Sequence, residues 1–194
     1  MQDARVISGT SLDEVWKQID EDFSQYKEVY EYNAIIEQQG RSVTLDIDID
    51  LGGGFEGGYA LTRFMSPLKS FDDFRFSLHR QDLLDGIGKL FGMEDIKIGS
   101  PEFDKNIVIK SNHPDRIKDI LSSIQIREVI QSLPNFEFHI GHHHSSHTEV
   151  ESAFLELRID EGITDTARLR LIYSAFILVL EKVDFNSGSF LNYI

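Results

Sequence analysis

Apolar residues recur at steps of three and four near the start of the chain. They run from Leu12 to Tyr26, with acidic residues between them. This spacing places the apolar side chains on one face of a helix. Ser11 and Glu14 form a capping box, because the serine hydroxyl can accept from the Glu14 amide while the Glu14 carboxylate reaches back. The pattern predicts an amphipathic N-terminal helix over 12–26.

The pattern then changes to the alternation that is typical of strands. Residues 43–51 alternate almost perfectly between apolar and acidic or polar side chains, which indicates a strand with one buried face. Similar segments lie on either side of it, separated by glycine-rich or polar turns. Strands at hairpin spacing predict an antiparallel meander. The four predicted strands of this meander are 29–38, 43–51, 59–64 and 74–80.

The rest of the chain mixes helical and strand patterns. Three short strands are predicted at 107–109, 136–140 and 153–159. Helices are predicted at 82–91, from Pro114 onward, at 125–132 and at 166–182, the last with an N-cap from Thr164 or Asp165. No repeat or linker divides the chain. We therefore expect a single α+β domain over residues 1–194, with a largely antiparallel sheet of about six or seven strands and helices packed on it.

The last predicted helix is apolar around most of its circumference. Such a helix is buried inside a fold or in a subunit interface. We therefore expect a homodimer that forms through this C-terminal helix. The apolar positions of the helix are Leu169, Ile172, Tyr173, Phe176, Ile177, Val179 and Leu180.

Composition and charge exclude several classes of function. The chain has no cysteine, so disulfides, thiol catalysis and cysteine-based metal sites are impossible. Its formal charge of −14 repels nucleic-acid phosphates, and no basic stripe overrides that field. The N-terminus lacks the pattern of a secretory signal, and the longest apolar run, 171–180, has about half the length that a membrane span needs. We expect a soluble, acidic, cytoplasmic protein with no membrane span and no nucleic-acid partner.

A histidine-rich segment is the most distinctive local cluster. His142 and His144 share one side of an extended chain, and His139 or His147 could supply a third nitrogen to a divalent metal such as zinc. The alternative is a solvated hairpin loop that binds metal only adventitiously. A metal site also needs an ordered scaffold and further supporting contacts, and the sequence leaves both possibilities open.

Two other segments resemble binding motifs only in part. Asp46, Asp48 and Asp50 project from one face of a predicted strand, about 7 Å apart, in the manner of calcium ligands. Their spacing to Leu51 and Gly57 does not fit a calcium loop, so an acidic, solvent-facing strand surface is the expectation. The glycine-rich segment 52–58 lacks the ending of a phosphate loop and joins two strands, which favours a hairpin loop.

Residues 103–112 are predicted to have structural roles. We expect Phe103 to fill the core, Asp104 to accept backbone hydrogens in a turn, and Asn112 to end a strand and help cap the next helix. An active-site role for Asp104 near His79 or Arg80, in a hydrolase, is the competing hypothesis. No triad order, paired-carboxylate pattern or nucleotide fingerprint supports it.

Several short sequence motifs lie close together in the middle of the chain. They are D-I at 95–96, G-S-P-E-F-D at 99–104 and I-V-I-K-S-N at 107–112, preceded by F-R-F at 74–76. Together they resemble the phrase GxxDIxIGDxxFDxxFVIKGND of a group of bacterial proteins of unknown function. The similarity spans roughly 59–133 and departs at Asn106, where an aromatic is common, and at Ser111, where glycine is common. The resemblance implies a bacterial origin and a module used for structure or interaction, and it assigns no catalytic residue.

These observations favour a non-enzymatic protein-interaction or scaffold module with an unknown protein partner and no cofactor. The alternative function is a metal-binding or small-ligand-binding protein that uses the histidine-rich loop 139–147.

Overall fold

The computed structural model of the chain describes residues 4–53, 57–69, 72–81, 92–143 and 152–187. Within these ranges nine strands form one sheet, and five helices accompany it. The helices are α1 (Leu12–Ser24), α2 (Pro101–Asn106), α3 (Pro114–Ile120), α4 (Ile124–Ser132) and α5 (Thr166–Ser187). The strands are β1 (Arg5–Ser8), β2 (Glu31–Gln38), β3 (Arg41–Asp50), β4 (Tyr59–Pro67), β5 (Phe76–Arg80), β6 (Glu94–Asp95), β7 (Ile107–Ser111), β8 (Phe136–His143) and β9 (Ser152–Ile159).

The strand order across the sheet is β1-β2-β3-β4-β9-β8-β5-β7-β6. β1 runs parallel to β2, and the other neighbouring pairs are antiparallel. The α+β class predicted from the sequence is confirmed, but the sheet is larger than predicted and mixed in direction. β1 and β6 are too short to give a recognisable alternation, which is why the sequence pattern missed them.

The predicted four-stranded meander is only partly correct. β2, β3 and β4 are neighbours in an antiparallel series. β5 is separated from β4 by β9 and β8. The outer edge of β4 is occupied by β9, in a register that runs from Thr62 opposite Ile159 to Pro67 opposite Phe154. Hairpin spacing along the chain cannot reveal that a later strand takes this edge.

Local predictions around the motif segment have mixed outcomes. Phe103 is fully buried, as expected, but it belongs to α2, where the sequence predicted only a turn before β7. Pro101 begins this helix, and a single buried side chain in six residues gives no periodicity to detect. The helix predicted at 82–91 lies outside the described residues. At α5, Asp165 accepts from Arg168 N at 2.8 Å, so the predicted cap is confirmed.

α5 lies at the centre of the helical layer and contacts α1, α3 and α4, and α2 contacts α4. The described helices therefore pack together on one face of the sheet. The ring centroids of Trp16 and Tyr173 are 5.8 Å apart, and those of Phe138 and Phe176 are 5.9 Å apart. Most apolar side chains of α5 are thus buried within the chain itself, while Leu171 is 60 % exposed.

Candidate functional site

The face of the sheet opposite the helices is a broad polar surface that five of the described strands build. Because side chains alternate along a strand, every second residue of β2, β3, β4, β9 and β8 points away from the helices. We call this surface the open face. It includes Glu31, Asn33, Ile35, Glu37, Ser42, Thr44, Asp46, Asp48, Asp50, Tyr59, Leu61, Arg63, Met65, Pro67, Ser152, Phe154, Glu156, Arg158, Glu137, His139 and Gly141.

The open face is acidic. It carries seven carboxylates and two guanidinium groups, a net formal charge of −5. The register places Arg63 beside Arg158 on the neighbouring strand, with Asp46 and Glu137 on the outer sides of this pair. Arg63 Nη2 lies 2.8 Å from Asp46 Oδ2. The two arginines therefore have carboxylates as cross-strand neighbours, and five carboxylates remain in excess.

The excess carboxylates crowd one another at one corner of the open face. Glu31 lies directly opposite Asp48 in the β2–β3 register, and like charges in this position destabilise a sheet. The Tyr59 hydroxyl donates to Asp48, and this hydrogen bond raises the pKa of Tyr59. The expected acidic, solvent-facing surface is confirmed, because Asp46 and Asp48 are partly exposed and Asp50 is exposed. Among the described residues, no group of three acidic or histidine side chains is arranged to hold a metal ion.

Apolar side chains interrupt the charges. Ile35, Leu61, Met65 and Phe154 are each partly exposed on the open face. Phe154 lies across from Gly141, and a Cβ added to Gly141 would come within 2.4 Å of the Phe154 ring. The aromatic ring therefore covers the glycine backbone, an arrangement that compensates for the missing side chain in a strand.

On β5, which pairs with β8, the side chains that point to the same side of the sheet as the open face are buried. Ser77 and His79 lie opposite His139 and Glu137, and they are 5 % and 2 % exposed. His79 Nδ1 donates to the Arg80 carbonyl oxygen, with 2.8 Å between the two atoms. Nε2 has no hydrogen-bond partner within the described part of the chain.

The hydrolase hypothesis required Asp104 near His79 or Arg80. Both oxygens of Asp104 instead accept backbone hydrogens, from Ile98 N and Gly99 N, each at 3.0 Å. This is the turn-stabilising role predicted from the sequence. Arg80 donates to the carbonyl oxygens of Gln131 and Leu133 at the end of α4. The described contacts bring none of these three side chains together.

Asn112 departs from its predicted role at the following helix. Its Oδ1 accepts from Arg75 N at 2.7 Å and its Nδ2 donates to Asp73 O at 2.5 Å. The N-cap position of α3 is His113, whose side chain makes no capping bond. Asn112 therefore fastens the segment before β5 to the end of β7, and the predicted contribution to the cap was wrong.

The histidine cluster is only partly within the described residues, because His144 and His147 lie outside them. The register of β8 with β9 is unbroken from Phe136 to His143. His139 and His142 therefore point to opposite faces of the sheet, and β8 does not bring these two imidazoles together. A metal site that combines His142 with His144 and His147 stays a prediction.

A cleft of about 760 Å³ lies at the start of α1, beside the β2–β3 turn. Arg41 lines it but is ion-paired with Asp184 of α5, whose side chain is 7 % exposed. Glu14 also lines it, and its Oε2 accepts from Thr10 N at 2.8 Å and from Thr10 Oγ1 at 2.9 Å. These bonds, the backbone one first, lower the pKa of Glu14. Arg41 and Glu14 therefore already have partners within the chain.

A second cleft, of about 390 Å³, runs along the outer side of α5. It is lined by Leu12 of α1, Gln38 and Gln39 at the β2–β3 turn, Gln125 of α4, and Ile177 and Leu178 of α5. The Tyr173 hydroxyl lies 3.3 Å from Gln38 Oε1 and donates to it, while burial raises the pKa of Tyr173 to about 12. We call this cleft the α5 trough.

No family model and no curated protein matches the chain. Among solved structures, the mycobacterial trehalose monomycolate transport factor A, TtfA, has a TM-score of 0.40 at 9 % identity, covering 84 % of this chain and 75 % of that chain. A likeness at this level carries no argument about this protein. Within the described ranges, no helix combines the length and apolar character that crossing a membrane requires.

Proposed function

We propose that this chain is a non-enzymatic protein-interaction module, and that its open face binds the partner. The observation that carries the proposal is the one-sided packing of the sheet. All five described helices lie on one face, whereas Ile35, Leu61 and Met65 remain partly exposed on the other. The register sets Ile35 and Met65 on either side of Thr44, so these apolar side chains lie among polar ones on a face that no described helix covers.

The chemistry of the open face specifies a basic partner. Its five excess carboxylates include the directly opposed Glu31 and Asp48, whose repulsion a lysine or arginine from the partner would relieve. The apolar side chains between them would pack against apolar residues of the same partner surface. We therefore propose a protein partner that presents lysine or arginine together with apolar side chains. Phosphate backbones would be repelled by the same charges.

The cellular setting is part of the proposal. The resemblance over roughly 59–133 supports a bacterial source and a module used in interaction. A chain without cysteine is compatible with the reducing cytoplasm. We propose a cytoplasmic bacterial protein on these grounds.

Binding of a model peptide of alternating lysine and leucine tests the partner chemistry. The triple variant Glu37→Gln, Asp48→Asn, Glu156→Gln removes three charges from the open face. At three partly or fully exposed positions each charge contributes a few tenths of a kcal/mol, so we expect a loss of about 1 kcal/mol, or roughly fivefold in Kd. Isothermal titration calorimetry at low and physiological salt measures it.

The matched control removes three charges from the helical side, in the variant Asp20→Asn, Glu21→Gln, Glu128→Gln. All three control residues are exposed. Both variants have the same net charge, so a general electrostatic attraction lowers their affinities equally. Equal losses in the two variants would therefore contradict an open-face site, and a loss confined to the first variant supports it.

We also propose that the chain forms a homodimer through α5. The burial of most of its apolar residues inside the chain leaves a narrower surface than the sequence suggested, centred on Leu171 and Leu178. Light scattering after size-exclusion chromatography tests this proposal, and a strict monomer at high concentration would remove it.

A further inference from the structure

The outer side of α5 carries a stripe with coiled-coil spacing. Its members are Ala167, Leu171, Ser174, Leu178 and Glu181, at successive steps of four, three, four and three. This spacing keeps the side chains on one line along a helix and is typical of a seam that packs against another helix. Leu171 is 60 % exposed, and Ser174 and Leu178 are partly exposed. No described element of the chain covers Leu171.

The α5 trough gives this stripe a receptor for partner side chains. The trough is about 390 Å³ in volume and includes Ser174 and Leu178 of the stripe itself. Leu12 of α1 and Gln125 of α4 also line it, and Ile124, beside Gln125, is 63 % exposed. A helix laid along α5 could therefore insert leucine side chains between α1 and α4.

The charges beside the stripe favour one orientation of a second α5 helix packed against it. Arg170 lies one residue before Leu171, and Glu181 lies three residues after Leu178. Ser174, a small residue, lies near the midpoint between the two leucines. A second α5 in the antiparallel direction would place Leu171 opposite Leu178 and Arg170 within one turn of Glu181. A parallel α5 would place Arg170 opposite Arg170 and Glu181 opposite Glu181.

We infer that the stripe binds α5 of a second copy, antiparallel, about a two-fold axis near Ser174. This arrangement rests on the proposed homodimer and specifies its geometry. It is isologous, because each copy contributes the same residues to both halves of the contact. Arg170 also contacts Asp13 of its own α1, and the Arg170 side chain is 40 % exposed, so its guanidinium is accessible to a second carboxylate.

Disulfide trapping tests the arrangement directly, since the chain has no cysteine of its own. Ser174→Cys is expected to give a covalent dimer under mild oxidation, because the two thiols lie beside the axis. Leu171→Cys is expected not to, because the antiparallel arrangement separates the two copies of this residue by roughly 10 Å along the helix, beyond disulfide reach. A parallel arrangement would cross-link both variants. Thr164→Cys, exposed before α5, is the control for random collision.

Charge exchange gives an independent readout in the uncross-linked protein. Glu181→Arg is expected to weaken the dimer about fivefold in sedimentation equilibrium, and adding Arg170→Glu is expected to restore it. A monomer in light scattering would overturn the homodimer itself. A dimer in which Ser174→Cys fails to cross-link, or in which Leu171→Cys cross-links as well, would overturn only the antiparallel arrangement. Both positions are at least partly exposed, so the variants are expected to fold.

Discussion

Thr62 holds the start of the last helix to the sheet. Its Oγ1 donates to the Glu161 carbonyl oxygen at 2.7 Å and accepts from Ile163 N at 2.9 Å, and the residue is fully buried. The segment that these bonds fasten leads directly into α5. Thr62→Val keeps the shape of the side chain and removes both hydrogen bonds, so it isolates their contribution.

The magnitude follows from which groups lose a partner. Leaving the buried Ile163 amide without an acceptor costs about 1–3 kcal/mol of folding stability. Leaving the half-buried Glu161 carbonyl without its donor costs less, because water can reach it. The added methyl group returns about 0.8 kcal/mol. We expect the free energy of unfolding to fall by about 2 kcal/mol and Tm by roughly 4–8 °C for a domain of this size.

Urea unfolding measures this difference, with the fluorescence of Trp16 as the signal. Trp16 is the chain's single tryptophan and is 1 % exposed, so it reports on the interface of α1 with α5. Thr44→Val is the matched control, since Thr44 lies on the open face of the neighbouring strand and is expected to change stability by less than about 0.5 kcal/mol. Equal effects of the two substitutions would refute the assignment of the faces of β3 and β4.

Three further outcomes are expected. In Glu14→Gln, the free energy of unfolding is expected to fall less steeply as the pH is lowered. The lowered pKa of Glu14 means that its carboxylate stabilises the folded state above the ordinary pKa of 4.5, and this stabilisation is lost as the pH falls through the lowered pKa. Urea titrations from neutral to acidic pH measure it, and an unchanged slope would count against the Thr10 bonds. Phe103→Ala costs about 3–5 kcal/mol by urea unfolding, and a cost under about 1 kcal/mol would contradict its burial. Tag-free protein holds no stoichiometric zinc by elemental analysis; stoichiometric zinc lost in His142→Ala, His144→Ala would revive the metal-site alternative.

Most helices and strands could be predicted from the sequence, because each imposes a characteristic periodicity on its apolar side chains. The apolar spacing that begins at Leu12 predicted α1. The alternation around Asp46, Asp48 and Asp50 predicted β3 with its acidic side chains facing solvent. The two-residue β6 and the six-residue α2 were missed because neither completes a detectable pattern. The position of β9 against β4 was beyond reach, since pairing between distant segments leaves no mark within either one.

The candidate site was the part that sequence reasoning located least well. The histidine-rich segment drew attention because identical residues cluster along the chain, yet strand geometry turns His139 and His142 to opposite faces. The open face gathers residues that are far apart in sequence, such as Asp46 and Arg158, and only the strand order brings them into one surface. The acidic alternation of β3 was the one signal in the sequence that pointed to it.

Thiol labelling tests most directly whether the open face binds a basic protein surface. Thr44→Cys places one cysteine on the open face, and Glu21→Cys places one on the exposed side of α1. At about ten times its Kd, the lysine–leucine peptide occupies about 90 % of sites and should slow alkylation of the Thr44→Cys variant about tenfold. The Glu21→Cys variant should react at its original rate. Protection of the Glu21→Cys variant alone, or equal protection of both, would contradict the proposed site.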